Sequence, residues 1–340
     1  MKIKKNYICE YLDDDKKIFS NRGSLHIIYE AENKKNEIIR VGNFLDRVIS
    51  HSKLLKRLFR LQFYSCIASD SKIFICWKKN IYIWSEGILN RITFKTSDFR
   101  ILRNGALLVD PNTIVFGEYF DNAERRKVYV YSVNLTTLKY KIIYEFKEKS
   151  IRHIHSIKKV SNDTYLIMTG DIENENKIVL INKDGEELGC LGHGSEDYRA
   201  IYASQIENKI IYGTDAQFSQ NYIYELSGKH LIKLLSVDGP IFDGLETENY
   251  IYFTVAVEGA PAQKSNNCQL ISYHKKEKKF NLLLSLGKDN FSKKYFQFGQ
   301  ILLPYLNGYS KDMFYINTLA LRRKDSGLYI INKNIVEQIK

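Results

Sequence analysis

Short runs in which apolar and aromatic residues alternate with polar ones recur along almost the whole chain, separated by turn-forming residues. The clearest stretch spans Ile151 to Gly192 and reads IRHIHSIKKV, SND, TYLIMTG, DIENEN, KIVLIN, KDG and EELGCLG. Such an order predicts four antiparallel strands, A to D, joined by polar turns. The next unit repeats it as YRAIYASQI, KIIYGT, NYIYEL and HLIKLLSV, and a third as PIFDGLE, YIYFTVAVE, QLISYH and KFNLLLSL. Upstream, ALLV, TIVFGEYF, KVYVYSV and KYKIIYEF have the same order. A repeat of about forty residues with four strands is the pattern of a propeller blade.

The flanks extend the series. YSCIAS, KIFICW, NIYIWS and LNRITFK form a fifth unit, and KIFS, LHIIYE and EIIRVG suggest a sixth near the start of the chain. FQFGQILL, MFYINTLAL, GLYIIN and NIVEQIK complete a seventh, with ring closure through terminal strands expected. The expectation is therefore an all-β fold, a β-propeller of seven four-stranded blades occupying 1–340 as a single domain. Between the first two units SHSKLLKRLFRLQF, Ser50 to Phe63, spaces Leu and Phe helically with basic residues between them. It predicts a short basic helix-like insertion near 50–63 that covers a blade edge, with a membrane-surface helix as the alternative.

Composition agrees with one large β domain. The chain has 24 Tyr and 18 Phe, which suit half-buried pleated surfaces, while four Pro and no long Gly/Ser tract leave no visible linker. The formal charge of +12 points to an acidic partner, with nucleic acid, anionic lipid and anionic glycan as candidates. Much of that charge sits in turn-like KKNE, KEK and KKEKK, where it solvates loops, and no nucleic-acid-binding motif accompanies it. The start, MKIKKNYICEYLDDD, lacks an apolar stretch, and no transmembrane segment is visible. Cys9, Cys66, Cys76, Cys190 and Cys268 are odd in number without CxxC spacing, as expected of reduced thiols in a cytoplasmic protein. No cofactor is assigned.

Strand alternation places the B–C loops and the D-to-A connections at one end of each blade. The B strands end in FGEYF, MTGD, YGTDAQ and TVAVEG, and the A strands are preceded by SIRHIH, GHGSEDYRA and VDGPIFD. Hydrogen-bonding groups thus collect at that end, and its glycines would admit a ligand close to the backbone. The opposite ends, SND, ENK, TEN, KDG, SGK and KKEK, are ordinary polar turns. In RHIHSI the imidazoles of His153 and His155 share a strand face, since side chains alternate with period two. Candidate catalytic residues are His153, His155, Tyr119 and Glu118; candidate ligand-binding residues are Arg152, Arg199, Asp171, His193, Thr214 and Asp215. The histidines read foremost as acid/base or anion-binding groups framed by Arg152 and Arg199. A metal held by His153, His155, His193 and a carboxylate, and a hydrogen-bonded structural pair, are the alternatives, and no metal is assigned.

From Gly105 to Leu235 the order GEYF, a C strand ending YSVN, RHIHSI, TGD, an Arg in the next A strand, and GTD followed by NYIYEL resembles sialidase-like (BNR-type) propellers of bacterial surface-polysaccharide gene sets. In that group the C–D turn often carries an Asp-box, S-x-D-x-G-x-T-W. The matching stretch, Ser132 to Lys139, lacks its Asp, Gly and Trp. The resemblance implies either glycosidase chemistry, for which Glu118, Tyr119, Arg152, Arg199 and Asp215 have the right residue types, or the chemistry of propeller polysaccharide lyases. His153, His155, Tyr119 and Arg199 fit the lyase pattern more closely, with His and Tyr exchanging protons while Arg neutralises a uronate carboxylate. The implied partner is an anionic oligosaccharide or polysaccharide, and the rival is a noncatalytic propeller that holds a protein or glycan on the same face.

Overall fold

The computed structural model describes residues 6–96, 98–311, 313–322, 327–332 and 335–338. The fold is all-β, a seven-bladed propeller with four-stranded antiparallel blades. The first blade comprises β1 (Ile8–Leu12), β2 (Lys16–Asn21), β3 (Ser24–Tyr29) and β4 (Glu37–Arg40), and is followed by α1 (Phe44–Ile49) and α2 (Lys53–Leu58). The second is β5 (Phe63–Ser69), β6 (Lys72–Trp77), β7 (Asn80–Ser85) and β8 (Ile88–Ile92). The third is β9 (Ala106–Asp110), β10 (Thr113–Gly117), β11 (Val128–Asn134) and β12 (Tyr140–Phe146). The fourth is β13 (His153–Ser161), β14 (Thr164–Gly170), β15 (Lys177–Asn182) and β16 (Glu187–His193). The fifth is β17 (Ala200–Ile206), β18 (Lys209–Thr214), β19 (Asn221–Ser227) and β20 (His230–Val237). The sixth is β21 (Ile241–Glu246), β22 (Tyr250–Val255), β23 (Asn267–His274) and β24 (Lys279–Gly287). In the last, β25 (Gln300–Leu302) pairs with β27 (Met313–Leu319), then β28 (Leu328–Asn332) and β29 (Ile335–Gln338), while β26 (Tyr305–Leu306) leaves to join the first blade.

Two compact units divide the chain, residues 1–63 with 242–340, and residues 64–241. Among the described residues of the first unit, the N- and C-terminal blades are joined by strand pairing only through the two-residue β26. β1 pairs in parallel with the two residues of β26, and the Asn317 side chain accepts from Cys9 N at 2.8 Å and donates to Tyr7 O at 2.7 Å. The expected closure through terminal strands is thus made by a two-residue bridge and one amide side chain. The helical segment also differs from expectation. Two short helices replace one, because Asn43 forms a capping box with Asp46 and Ser52 caps the second helix. Arg57 turns inward from α2 to Asp289, at 2.6 Å.

In the second unit, middle strands are covered on both faces and outer strands on one. β14 is buried from Tyr165 to Gly170, whereas no residue of β16 is fully buried. This is why B and C strands read as nearly continuous apolar runs while D strands alternate. Leu166, Met168 and Ile178 of the fourth blade pack with Ala203, Tyr212 and Tyr224 of the fifth. The B strands of blades three and four end in glycine because the neighbouring blade, and for Gly170 also Asn176 and His155 of its own blade, leave no room for a side chain. A Cβ on Gly117 would lie 2.5 Å from the Ile154 side chain, and one on Gly170 would lie 2.9 Å from Arg199 Cγ and 3.0 Å from His155 Cε1. These glycines admit the next blade, where the sequence had suggested a ligand.

Candidate functional site

The B–C end of the second unit gathers a buried polar cluster on β13. The register between β13 and β14 shifts between Ile154 and Ser156, a β-bulge that places His155 as the extra residue. Both imidazoles turn to one side, with Nε2 of His153 and Nε2 of His155 3.2 Å apart, and both rings are 2% exposed. His153 Nδ1 lies 2.9 Å from the carbonyl oxygen of Phe120. Since a carbonyl only accepts, that nitrogen carries a hydrogen. Burial pushes the His155 pKa down to about 4, so this ring is neutral near pH 7.

Asp171 lies at the centre. It follows β14 directly and has φ 142°, a backbone conformation that a residue other than glycine holds only when its surroundings impose it. One carboxylate oxygen lies 3.5 and 3.6 Å from the two histidine Nε2 atoms and 3.1 Å from Arg199 Nη2. The other lies 2.7 Å from Arg152 Nη1. Burial alone would raise this carboxyl, but contact with His153 and His155 holds it well below the usual carboxylate range. Arg199 also donates to the Asp171 carbonyl at 2.9 Å and pairs with buried Asp215 at 3.1 Å. Arg152 reaches outward to the exposed Asp121. The groups meant to hold a ligand anion thus already hold carboxylates of the chain itself.

Tyr119 flanks the histidines, its ring centroid 4.0 Å from that of His153 and 6.2 Å from that of His155. Burial raises its hydroxyl pKa, opposed by the Arg100 charge. Arg100 is held between two aromatic faces, its guanidinium carbon 4.9 Å from the Tyr119 ring centre and 5.1 Å from that of Tyr64. No carboxylate lies within ion-pair distance of Arg100 among the described residues. Backbone hydrogen bonds of 2.9 and 3.0 Å between Arg100 and Tyr119 fix this placement.

Of the residues expected from sequence, His153, His155, Tyr119, Arg152, Arg199, Asp171 and Asp215 come together, and Glu118, Thr214 and His193 do not. Glu118 precedes Tyr119 and so points the opposite way. It is fully buried, accepting from Tyr131 OH and Tyr129 N at 3.0 Å each and from the Thr96 hydroxyl, with its pKa raised by burial. Thr214 Oγ1 knits the β18–β19 turn, bonded to Asn221 and to the backbone of Tyr222. His193 is exposed at the end of β16 and lies outside the compact ligand-like group formed by His153, His155 and Asp171. Asp184 and Lys183 lie at the other end of the fourth blade, beside the β13–β14 turn at Asp163. They line an open groove of about 420 Å³ there. Arg100, Tyr64 and Asp121 were missed. Arg100 lies six positions before its A strand, so unlike Arg152 and Arg199, which directly precede theirs, it gave no signal in the sequence.

No family model matches the chain, and no curated protein matches it in sequence. Its architecture is shared with solved structures of very low identity. The β-propeller domain of the Trilobed protease from Pyrococcus furiosus, described as having an open velcro topology, aligns with TM-score 0.56 at 10% identity over 98% of this chain and 97% of that one. The extracellular domain of BT4673 from B. thetaiotaomicron, described as a one component system, gives TM-score 0.53 at 11% identity over 98% of this chain. The tricorn protease gives TM-score 0.51 at 11% identity over 99% of this chain. The chain spans 38% of the BT4673 domain and 34% of the tricorn protease. At these identities the likeness is one of fold.

Proposed function

We propose that the chain binds an anionic sugar at the B–C end of its second unit, as a sialidase-like propeller of surface-polysaccharide metabolism. The observation that carries this reading is Arg100, a largely buried cation stacked between Tyr64 and Tyr119 with no carboxylate partner among the described residues. A desolvated guanidinium favours a planar bidentate anion, and the flanking rings suit the apolar face of a sugar. Arg152, one-third exposed, would mark the solvent side. Lyase- or glycosidase-like cleavage is the catalytic form of this reading, with Tyr119 and the histidine pair nearest the sugar. The noncatalytic form, a propeller that only holds a glycan or protein, draws on a different observation. Arg152 and Arg199 are already neutralised by Asp121, Asp171 and Asp215.

The test is calorimetric titration with acidic oligosaccharides, uronate- and sialate-containing, followed by mass analysis of the products. Binding of one class should weaken about thirtyfold or more in Arg100→Met, which keeps an apolar stem between the rings but removes the charge. Hydrolysis would add water to the products, elimination would leave an unsaturated sugar, and unchanged mass would select the binding-only form. Equal affinity of parent and Arg100→Met for every acidic sugar would refute the reading.

A further inference from the structure

We infer that His153, His155 and Asp171 form a binding site for a divalent transition metal, independent of any sugar. The geometry is that of a ligand set. Nε2 of His153, Nε2 of His155 and Oδ1 of Asp171 stand 3.2, 3.5 and 3.6 Å from one another. Ligands about 2.0–2.1 Å from a tetrahedral ion are about 3.4 Å apart, so the three atoms match one face of such a tetrahedron. Histidine nitrogen and carboxylate oxygen are the donors that zinc-like ions take.

The surroundings orient these donors. His153 donates its Nδ1 hydrogen to the Phe120 carbonyl, which leaves the Nε2 lone pair facing inward, as in the outer shells of metal sites. Arg199 and Arg152 hold the Asp171 carboxylate in place, and Asp171 keeps its unfavourable φ of 142° with its side chain directed at both imidazoles. Gly170 leaves His155 the space to approach, since a Cβ there would lie 3.0 Å from the ring. An imidazole committed to a metal through Nε2 and to a carbonyl through Nδ1 has no lone pair left for a proton. Metal ligation and a general-base role are therefore exclusive for His153.

The test uses the full chain, stripped with chelator and titrated with Zn²⁺ by calorimetry and with Co²⁺ by visible absorption. One ion should bind per chain, and Co²⁺ should give the intense bands of tetrahedral coordination. His153→Gln, His155→Gln and Asp171→Asn should each weaken binding about tenfold or more, while His193→Gln and His230→Gln leave it unchanged. Circular dichroism checks that each variant is folded. A Co²⁺ spectrum that is octahedral, absent, or unchanged in a folded His153→Gln/His155→Gln double variant overturns the inference. Because no sugar is added, the outcome is separate from that of the Arg100 test.

A second site stands on a different observation, in the first unit. On α1 and α2 an apolar surface faces outward, with Phe44 74%, Leu45 63% and Phe59 55% exposed and Val48, Leu55 and Leu58 also open to solvent. The inward side is separately satisfied by buried Leu61 and the Arg57–Asp289 pair. Between Val41 and Phe63, apart from the buried and paired Arg57, four basic residues, Arg47, Lys53, Lys56 and Arg60, accompany a single acid, buried Asp46. Exposed Phe and Leu among positive charges match an anionic bilayer surface, where rings enter the headgroup boundary and the charges meet acidic lipid. We propose that this segment docks there. No helix among the described residues is long and apolar enough to cross a membrane.

Sedimentation with phosphatidylcholine vesicles, with and without phosphatidylglycerol, tests this. The parent should bind only the anionic vesicles, and Phe44→Ser/Phe59→Ser should bind about tenfold more weakly or worse. Binding that is absent, insensitive to phosphatidylglycerol, or equal in the folded double variant overturns the proposal.

Discussion

Asp171→Asn isolates what the central carboxylate contributes to the second unit. Asn has nearly the same shape but no charge, and only one of its two terminal atoms can accept. Whichever way the amide turns, an NH₂ faces either Arg152 Nη1, now 2.7 Å from a carboxylate oxygen, or Arg199 Nη2, now at 3.1 Å. The variant therefore loses a charge-assisted hydrogen bond to a buried guanidinium, which contributes about 2 kcal/mol. The other bond survives but no longer to a carboxylate, which costs about 1 kcal/mol of charge assistance, less where it falls on the one-third-exposed Arg152. The Arg199 bond to the Asp171 carbonyl survives, and Arg199 keeps Asp215, so the penalty does not reach that of a fully orphaned charge. The expected total is about 3 kcal/mol.

Urea unfolding followed by the fluorescence of Trp77 and Trp84, both in the second unit, measures it. Chelator in the buffer keeps metal from contributing to the parent. With an unfolding entropy of about 2.1 cal/mol/K per residue, the same loss lowers Tm by about 4 °C. Asp121→Asn is the internal control, since that partner of Arg152 is 81% exposed and its removal should leave the urea midpoint close to the parent's. An Asp171→Asn variant within 1 kcal/mol of the parent, or an Asp121→Asn variant as damaging, would refute the reasoning that burial makes Asp171 the organising charge; both limits are about the scatter expected of surface pairs.

Three further outcomes follow from the same coordinates. Gly117→Ala should destabilise by about 1–3 kcal/mol through overpacking against Ile154, and Ile154→Val should restore part of the loss by removing Cδ1, one of the atoms 2.7 Å from the new Cβ. Parent-like urea midpoints for Gly117→Ala would count against the close approach of the third and fourth blades. Titration of the native protein with a disulfide reagent should reveal one fast thiol, exposed Cys190, and four more only after unfolding, since burial pushes Cys76 and Cys268 up to about 12 and Cys9 and Cys66 are also enclosed. Asp289 supplies a pH dependence. Burial would raise its carboxyl, but hydrogen bonds from Arg57 and Lys288 hold it below its ordinary value, so its contribution is present above the unfolded value and lost as pH falls through the folded one. Asp289→Asn should accordingly cost about 2 kcal/mol at pH 7, a difference that begins to shrink only below about pH 4 and vanishes as the pH falls through the lower folded value; a difference independent of pH would contradict that sign.

Much of the fold was legible because a blade is a local object. Five of the seven sheets are formed wholly from strands consecutive in the chain, and the alternation that marks a strand also fixes its phase, so the runs from Ala106 to Gly287 map onto β9 to β24. β1 escaped notice because ICEYL is buried throughout, including Glu10, which accepts from the Ser20 hydroxyl at 2.5 Å, and a strand covered on every side does not alternate. The candidate site was legible only to the extent that its residues lie on one strand. His153 and His155 had to share a face. Whether Glu118 or Tyr119, or Thr214 or Asp215, would join them depended on side-chain parity at the last residues of β10 and β18, where the strands end and periodicity stops helping. Arg100 lies outside every strand and is placed by a single backbone bridge to Tyr119, a contact across nineteen positions that no local pattern encodes. Charge compensation was equally invisible in the sequence. Counting arginines near histidines suggested a site waiting for an anion, and only packing brought Asp121, Asp171 and Asp215 onto two of those arginines and left Arg100 between two rings. Periodicity reports which side of its own strand a residue occupies, whereas the identity of its partner across a blade boundary is set by long-range packing.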